Sequence, residues 1–148
     1  MKLNEAGINL IKLFEGLKLT PYLDSAGVPT IGYGSTYYFD GTKVTIQDKP
    51  LTQAQADALF ASIVDRFAIS VADLVTTNLN DNQFSALVSF AYNLGVFSLG
   101  QSTLLSLVNT NPNNPQITIE FNKWIYAGGK VLNGLVRRRA AEAKLYFS

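Results

Sequence analysis

The chain has 148 residues, of which 47% are hydrophobic and 16% charged, the composition of one globular domain rather than a disordered segment. It has no Cys and no His, which excludes disulfides, thiol nucleophiles, Ser-His-Asp catalysis and imidazole-held zinc, and leaves acid–base chemistry to carboxylates, Lys or Tyr. Net charge is only +1, but residues 120–148 set Lys123, Lys130, Arg137, Arg138, Arg139 and Lys144 against Glu120 and Glu142, a local excess of +4 that suits either an anionic polymer or a solvated helix face.

No apolar run is long enough to span a bilayer. Met1 to Phe14 carries Glu5 and Lys12 inside its apolar pattern and lacks the regions of a signal peptide, so the expected place of synthesis is a cytoplasm, without secretion or stable membrane insertion. Leu3, Ile8, Ile11 and Phe14 predict an amphipathic helix over residues 3–15, with Gly16 at its C-cap. From Tyr22 to Thr36, short β-type runs alternate with Pro29, Gly27, Gly32 and Gly34, which predicts a small antiparallel sheet. Asp40-Gly41, between the runs 36–39 and 43–46, predicts a hairpin.

After Pro50 the period becomes helical. Thr52-Gln53-Ala54-Gln55 reads as a capping box, and apolar residues from Ala56 to Leu74 predict one long helix, or two with a bend near Ser70. Further helices are predicted from Asp81 to Leu94 with Gly95 as cap, from Ser102 to Val108, from Glu120 to Tyr126 with a break at Gly128-Gly129, and from Leu135 to Tyr146; residues 109–115 read as a loop. One helix, a small sheet and then only helices is an α+β order. The expected organisation is a single domain, with a β lobe over about 17–50, a helical lobe over about 51–148 joined by the N-terminal helix, and a substrate cleft between them.

Two carboxylates in different surroundings stand out. Glu15 ends the first helix, where the dipole's negative end and the neighbours Leu13, Phe14 and Leu17 disfavour its charged form, as a general acid for sugar cleavage requires. Asp24 lies in a turn where backbone amides favour the ionised form, and the hydroxyl of Thr30 is placed to position a water next to it. Each taken alone is ordinary: an acid at a helix end is most often a solvated cap, and an Asp in a turn is most often a turn former.

The string Phe14-Glu15-Gly16-Leu17, Tyr22-Leu23-Asp24, Gly27 and Thr30-Ile31-Gly32-Tyr33-Gly34 resembles the phage-type lysozymes, the endolysin muramidases of bacteriophages and prophages. The resemblance continues through Leu51-Thr52, the run Ala86 to Gly95, Ser102-Thr103-Leu104-Leu105, Trp124, Gly128-Gly129-Lys130, Gly134-Leu135, Arg138-Arg139, Glu142 and Leu145. It implies a lysozyme-like fold, hydrolysis of the β-1,4 bond between N-acetylmuramic acid and N-acetylglucosamine in peptidoglycan, and bacterial lysis. It implies Glu15 as general acid, Asp24 as the carboxylate that activates water or stabilises the cationic sugar, and Thr30 as the third site residue. Gly32 and Gly34 would line the cleft, Tyr92, Asn93, Ser102 and Thr103 would face the sugars, and Arg138 would pair with Glu15. The implied partner is the peptidoglycan glycan strand, met by a monomer after release through a separate membrane pore, with no metal, no cofactor and no nucleic acid. One departure is Ser35, where the family usually has His; this bears on local stability rather than on the reaction.

Three other readings remain. A lytic transglycosylase needs one acid and no water-activating pair. A non-catalytic peptidoglycan-binding module on the same scaffold would need neither Glu15 nor Asp24. A nucleic-acid binder would use the arginine run but has no recognisable motif.

Overall fold

All 148 residues are described by the structure, a computed structural model. In chain order they form α1 (Glu5–Glu15), β1 (Lys18–Leu23), β2 (Pro29–Gly32), α2 (Gln53–Leu74), α3 (Asp81–Leu94), α4 (Val96–Gln101), α5 (Thr103–Thr110), α6 (Gln116–Asn122), β3 (Tyr126–Ala127), β4 (Lys130–Val131) and α7 (Asn133–Tyr146). This is the expected α+β order, with helices predominating. The chain divides into two compact units, Glu15–Arg66 and Met1–Phe14 with Phe67–Ser148, so each boundary falls inside or at the end of a helix. No helix is long and apolar enough to cross a membrane.

In the smaller unit, β1 and β2 pair antiparallel with Tyr22 opposite Thr30 and Leu23 opposite Pro29. Ile31, Val44 and Leu59 form its buried centre, with Tyr38, Leu51 and Ile63 packed around them, and the Tyr33 ring lies 5.2 Å from Phe60. The start of α2 carries the capping box read from sequence: Gln55 N donates to Thr52 Oγ1 at 3.1 Å and Thr52 N to Gln55 Oε1 at 2.9 Å. The helix then runs as one element to Leu74 rather than as two.

The hairpin expected around Asp40-Gly41 shrinks to a single bridge, Tyr37 to Lys43. Two aspartates take over the backbone donors that a ladder would use. Asp40 Oδ1 accepts from Thr42 N at 2.9 Å, and Asp48 Oδ2 accepts from Thr45 N at 2.8 Å and from Tyr38 Oη at 2.7 Å.

In the larger unit, α3 is the axis. Every residue from Gln83 to Ala91 is buried, which makes α3 a helix enclosed on all sides rather than a one-faced surface helix. It is capped by Asn80, whose side chain accepts from Gln83 N while Gln83 reaches back to Asn80 N. Gly7 lets α1 approach closely, because a Cβ there would lie 2.5 Å from the Ser85 Cβ. Phe90 meets Phe121 and Trp124 edge-on at 6.0 and 5.4 Å, and Phe121 meets Tyr146 at 5.9 Å. Each such buried ring stabilises by about 1.5–3 kcal/mol. Gly128 and Gly129, expected only to break a helix, instead form the two-residue turn of the β3–β4 hairpin with φ of +57° and +76°.

The loop of residues 36–48 carries a pH prediction. The Thr45 hydroxyl and amide, then Tyr38, hold Asp48 below its usual 3.8. A depressed carboxylate contributes stability above its unfolded value and loses it as the pH falls through its folded value. The NMR shift of the Thr45 amide proton should therefore titrate below pH 3.8; a midpoint at or above 3.8 would show that the carboxylate does not hold it.

Candidate active site

Glu15 is the last residue of α1, and Gly16 leaves the helix with φ +68°. The Glu15 carboxyl lies against the backbone of Gly34. A Cβ built on Gly34 would come within 2.5 Å of Glu15 Oε1 and 3.3 Å of its carboxyl carbon. Gly34 also has φ +78°, so both conformation and space demand glycine there. Gly32 differs: its φ of +68° calls for glycine, but its open side meets only Leu51, at 4.0 Å.

Asp24 organises the turn between β1 and β2. Its Oδ1 accepts from Ala26 N at 2.8 Å and Val28 N at 2.9 Å, while its backbone N donates to Val28 O at 3.0 Å. The expected backbone amides are thus those of Ala26 and Val28. Thr30 is buried, and its hydroxyl donates to Val28 O at 2.8 Å. The Thr30 oxygen can therefore only accept a further hydrogen bond.

Tyr22, which sequence reasoning included in the motif without giving it a role, belongs to this group. Its hydroxyl is pushed above the usual 10.0 by burial first, then by the charges of Glu15 and Asp24. Both carboxylates therefore act on one phenol. Lys18 Nζ sits 4.3 Å from the centre of the same ring, which gives the site a cation on one side. The signal in the sequence was period two: Tyr22 and Asp24 flank Leu23 in one strand end.

The other candidate residues lie in the larger unit. Tyr92 packs on Phe67 with ring centres 5.1 Å apart. Ser102 spends its hydroxyl on the helix junction, accepting from Leu105 N at 3.0 Å and donating to Leu99 O at 2.6 Å, so its evident work is capping α5; Thr103 beside it is exposed. Asn93, near the end of α3, accepts a hydrogen bond from Arg139 Nη2 at 2.7 Å.

The arginine run is only partly a surface feature. Arg137 is exposed, whereas Arg138 and Arg139 are buried with Glu142, which has no exposed surface at all. Arg139 Nε lies 2.7 Å from Glu142 Oε1, and Arg138 Nε lies 3.4 Å from Oε2. Ser89 Oγ donates to Glu142 Oε2 at 2.5 Å, and Arg138 Nη2 donates to Ser89 O at 3.2 Å. Burial pushes the Glu142 carboxyl upward, and the two arginines and Ser89 oppose it. Ser35 is buried too, and its hydroxyl finds no hydrogen-bond partner, so the position that departs from the family pattern carries an unpaid polar burial.

The model of the Phage lysozyme family matches residues 12–142. The endolysin of Bacillus phage B103 is 40% identical over 150 residues, covering all of this chain and 55% of that protein; the chain thus spans about half the length of that relative. Among solved structures, the endolysin of Escherichia coli O157:H7 phage FAHEc1 superposes with a TM-score of 0.90 at 36% identity, covering 100% of this chain and 94% of the other. The muramidase domain of SpmX from Asticaccaulis excentricus superposes at 0.79 with 35% identity, covering 99% and 98%.

Breaking a buried ion pair from one side leaves an uncompensated charge, at a cost of about 3–5 kcal/mol. Glu142→Ala should lower unfolding stability by about that amount in chemical denaturation, while Arg137→Ala, on the exposed side of the same helix, should change it by less than about 0.5 kcal/mol.

Proposed function

The chain belongs to the phage lysozyme family, and on that premise we propose that it is a muramidase, hydrolysing the β-1,4 bond between N-acetylmuramic acid and N-acetylglucosamine in peptidoglycan. What carries this reading is the presence in one unit of Glu15, seated on the Gly34 backbone, and of Asp24, held by two amides in the β1–β2 turn. Two carboxylates in contrasting surroundings are what glycoside hydrolysis needs.

Glu15 gives its proton to the glycosidic oxygen as the bond breaks. Oδ1 of Asp24 is occupied by the turn, which leaves Oδ2 for an incoming water or for the cationic sugar. Thr30 has already given its hydrogen to Val28, so a water at Thr30 must donate to it. A water that donates to both Thr30 and Asp24 turns a lone pair outward, the orientation for attack on the sugar. This arrangement favours inversion, for which the two carboxyls stand about 6.5–9.5 Å apart. The protein acts on the wall after passing through a membrane opening made by something else.

Purified chain should clear a suspension of cell walls, and Glu15→Gln should slow clearing by about 10²–10⁴-fold while melting like the wild type. Equal rates would sink the assignment, and anhydro-sugar products in the digest would replace hydrolysis with transglycosylation. Gly34→Ala should lose activity as well, because the new Cβ must displace the Glu15 carboxyl, and should lower stability by about 1–2 kcal/mol through its positive φ. Clearing by Gly34→Ala at the wild-type rate would show that the seat of Glu15 is unimportant.

A further inference from the structure

Between Glu120 and Glu142 the chain holds no acidic residue. The middle of that stretch stands open to solvent: every residue from Tyr126 to Gly134 is exposed, and so are Val136 and Arg137. Four of these are large apolar side chains, Tyr126, Val131, Leu132 and Val136, with 62% of Tyr126 in solvent. Lys130 and Arg137 make no ion pair, whereas Lys123 is taken by Glu120 at 2.6 Å. The surface lies wholly in the larger unit.

Tyr126 pairs with Val131 across the β3–β4 ladder, so both side chains stand on one face of the ribbon, while Lys130 pairs with Ala127 on the other. Val136 N donates to Leu132 O at 3.0 Å, which sets Leu132 and Val136 one turn apart at the start of α7. A ribbon of two residues per strand does not hold alone. Its root is tied in: Leu132 N donates to Ile125 O at 3.0 Å, and the Trp124 ring meets Phe90 edge-on.

Apolar and cationic side chains thus share one surface with no acid between them, and a partner must answer to both. An uncharged protein surface would leave Lys130 and Arg137 unanswered. A phosphate or sugar polyanion would take the cations and leave Val131, Leu132 and Val136 wet. The boundary of an anionic bilayer serves both, with phosphates above and acyl chains below, and it suits an aromatic ring with a polar tip. We propose that the β3–β4 hairpin and the first turn of α7 are a docking surface for an anionic lipid bilayer. Tyr126, Val131, Leu132 and Val136 enter the headgroup–acyl boundary, and Lys130 and Arg137 meet lipid phosphates. The contact is peripheral, since no helix is long and apolar enough to cross a membrane. It is weak, reversible and sensitive to salt, and it stands independently of the sugar-cleaving reading.

Cosedimentation of the full chain with lipid vesicles tests this. At about 0.01 M salt, vesicles of phosphatidylglycerol mixed equally with phosphatidylcholine should bind it at least about tenfold better than phosphatidylcholine alone, and about 1 M salt should remove most of that preference. Lys130→Glu with Arg137→Glu, and separately Val131→Ser with Leu132→Ser, should each weaken binding at least about tenfold. Every one of these side chains is exposed, so melting temperatures should stay near wild type. Lys43→Glu with Lys49→Glu makes the same change in net charge from exposed positions of the smaller unit, and should alter binding by less than about twofold. No binding to the phosphatidylglycerol vesicles, or equal binding to both kinds, overturns the proposal. So does an equal loss in the Lys43, Lys49 pair, which would make net charge the cause, or full binding by folded variants of the hairpin. If purified cell walls are bound through these residues and the vesicles are not, the partner is a wall polymer and the lipid assignment fails.

Discussion

Two arginines and a glutamate with almost no solvent contact hold α7 to α3, and the larger unit is arranged to make that burial tolerable. A lone buried ion costs several kcal/mol, so each of the three needs partners that cannot drift away. Ser89 supplies a hydroxyl and a carbonyl from the middle of α3. Phe90 and Phe14 supply ring faces to the two guanidinium groups, at 5.2 and 5.8 Å. The aromatic chain from Trp124 through Phe90 and Phe121 to Tyr146 then closes the same two helices around the charges. A core of this kind specifies one helix register, because sliding α7 by one residue would strand every charge.

The smaller unit solves a different problem, which is how to keep two carboxylates in place with few residues. Backbone does the holding. Gly34 provides a surface without a side chain against which the Glu15 carboxyl rests, and the tight β1–β2 turn fixes Asp24 by two amide bonds. Neither device calls on a further long side chain with many rotamers to hold the carboxylate.

Much of this was legible in sequence, for reasons that differ by element. The helical period from Ala56 to Leu74 and the Asp81–Leu94 segment with Gly95 were plain, because one uniform period runs through each. The contrast between Glu15 at a helix end and Asp24 in a turn was visible because both environments are local. What escaped was decided at a distance or by competing local bonds. The 36–46 hairpin is reduced to the Tyr37–Lys43 bridge because Asp40 and Asp48 capture backbone donors beside it. The helix at Val96–Gln101 and the start of α6 at Gln116 were missed because short helices carry less than two turns of pattern. The Gly128-Gly129 pair was read as a break although two glycines are the composition of a tight hairpin turn. The burial of Arg138 and Arg139 could not be seen, since a cation next to Glu at i+3 or i+4 looks the same on a wet face as in a core.

That burial changes the charge that the molecule presents to its surroundings. The chain has twelve Lys and Arg against eleven Asp and Glu, and the enclosed cluster removes two cations and one acid. Ten of each sign are left facing solvent, so the surface is isoelectric near neutrality although the formula is slightly basic. The charge is still uneven, because Lys123, Lys130, Arg137 and Lys144 stay exposed against Glu120 alone and leave residues 120–148 locally cationic. Any field the molecule casts therefore comes from that one segment and not from its total charge, and in 0.1 M salt it fades over about 10 Å.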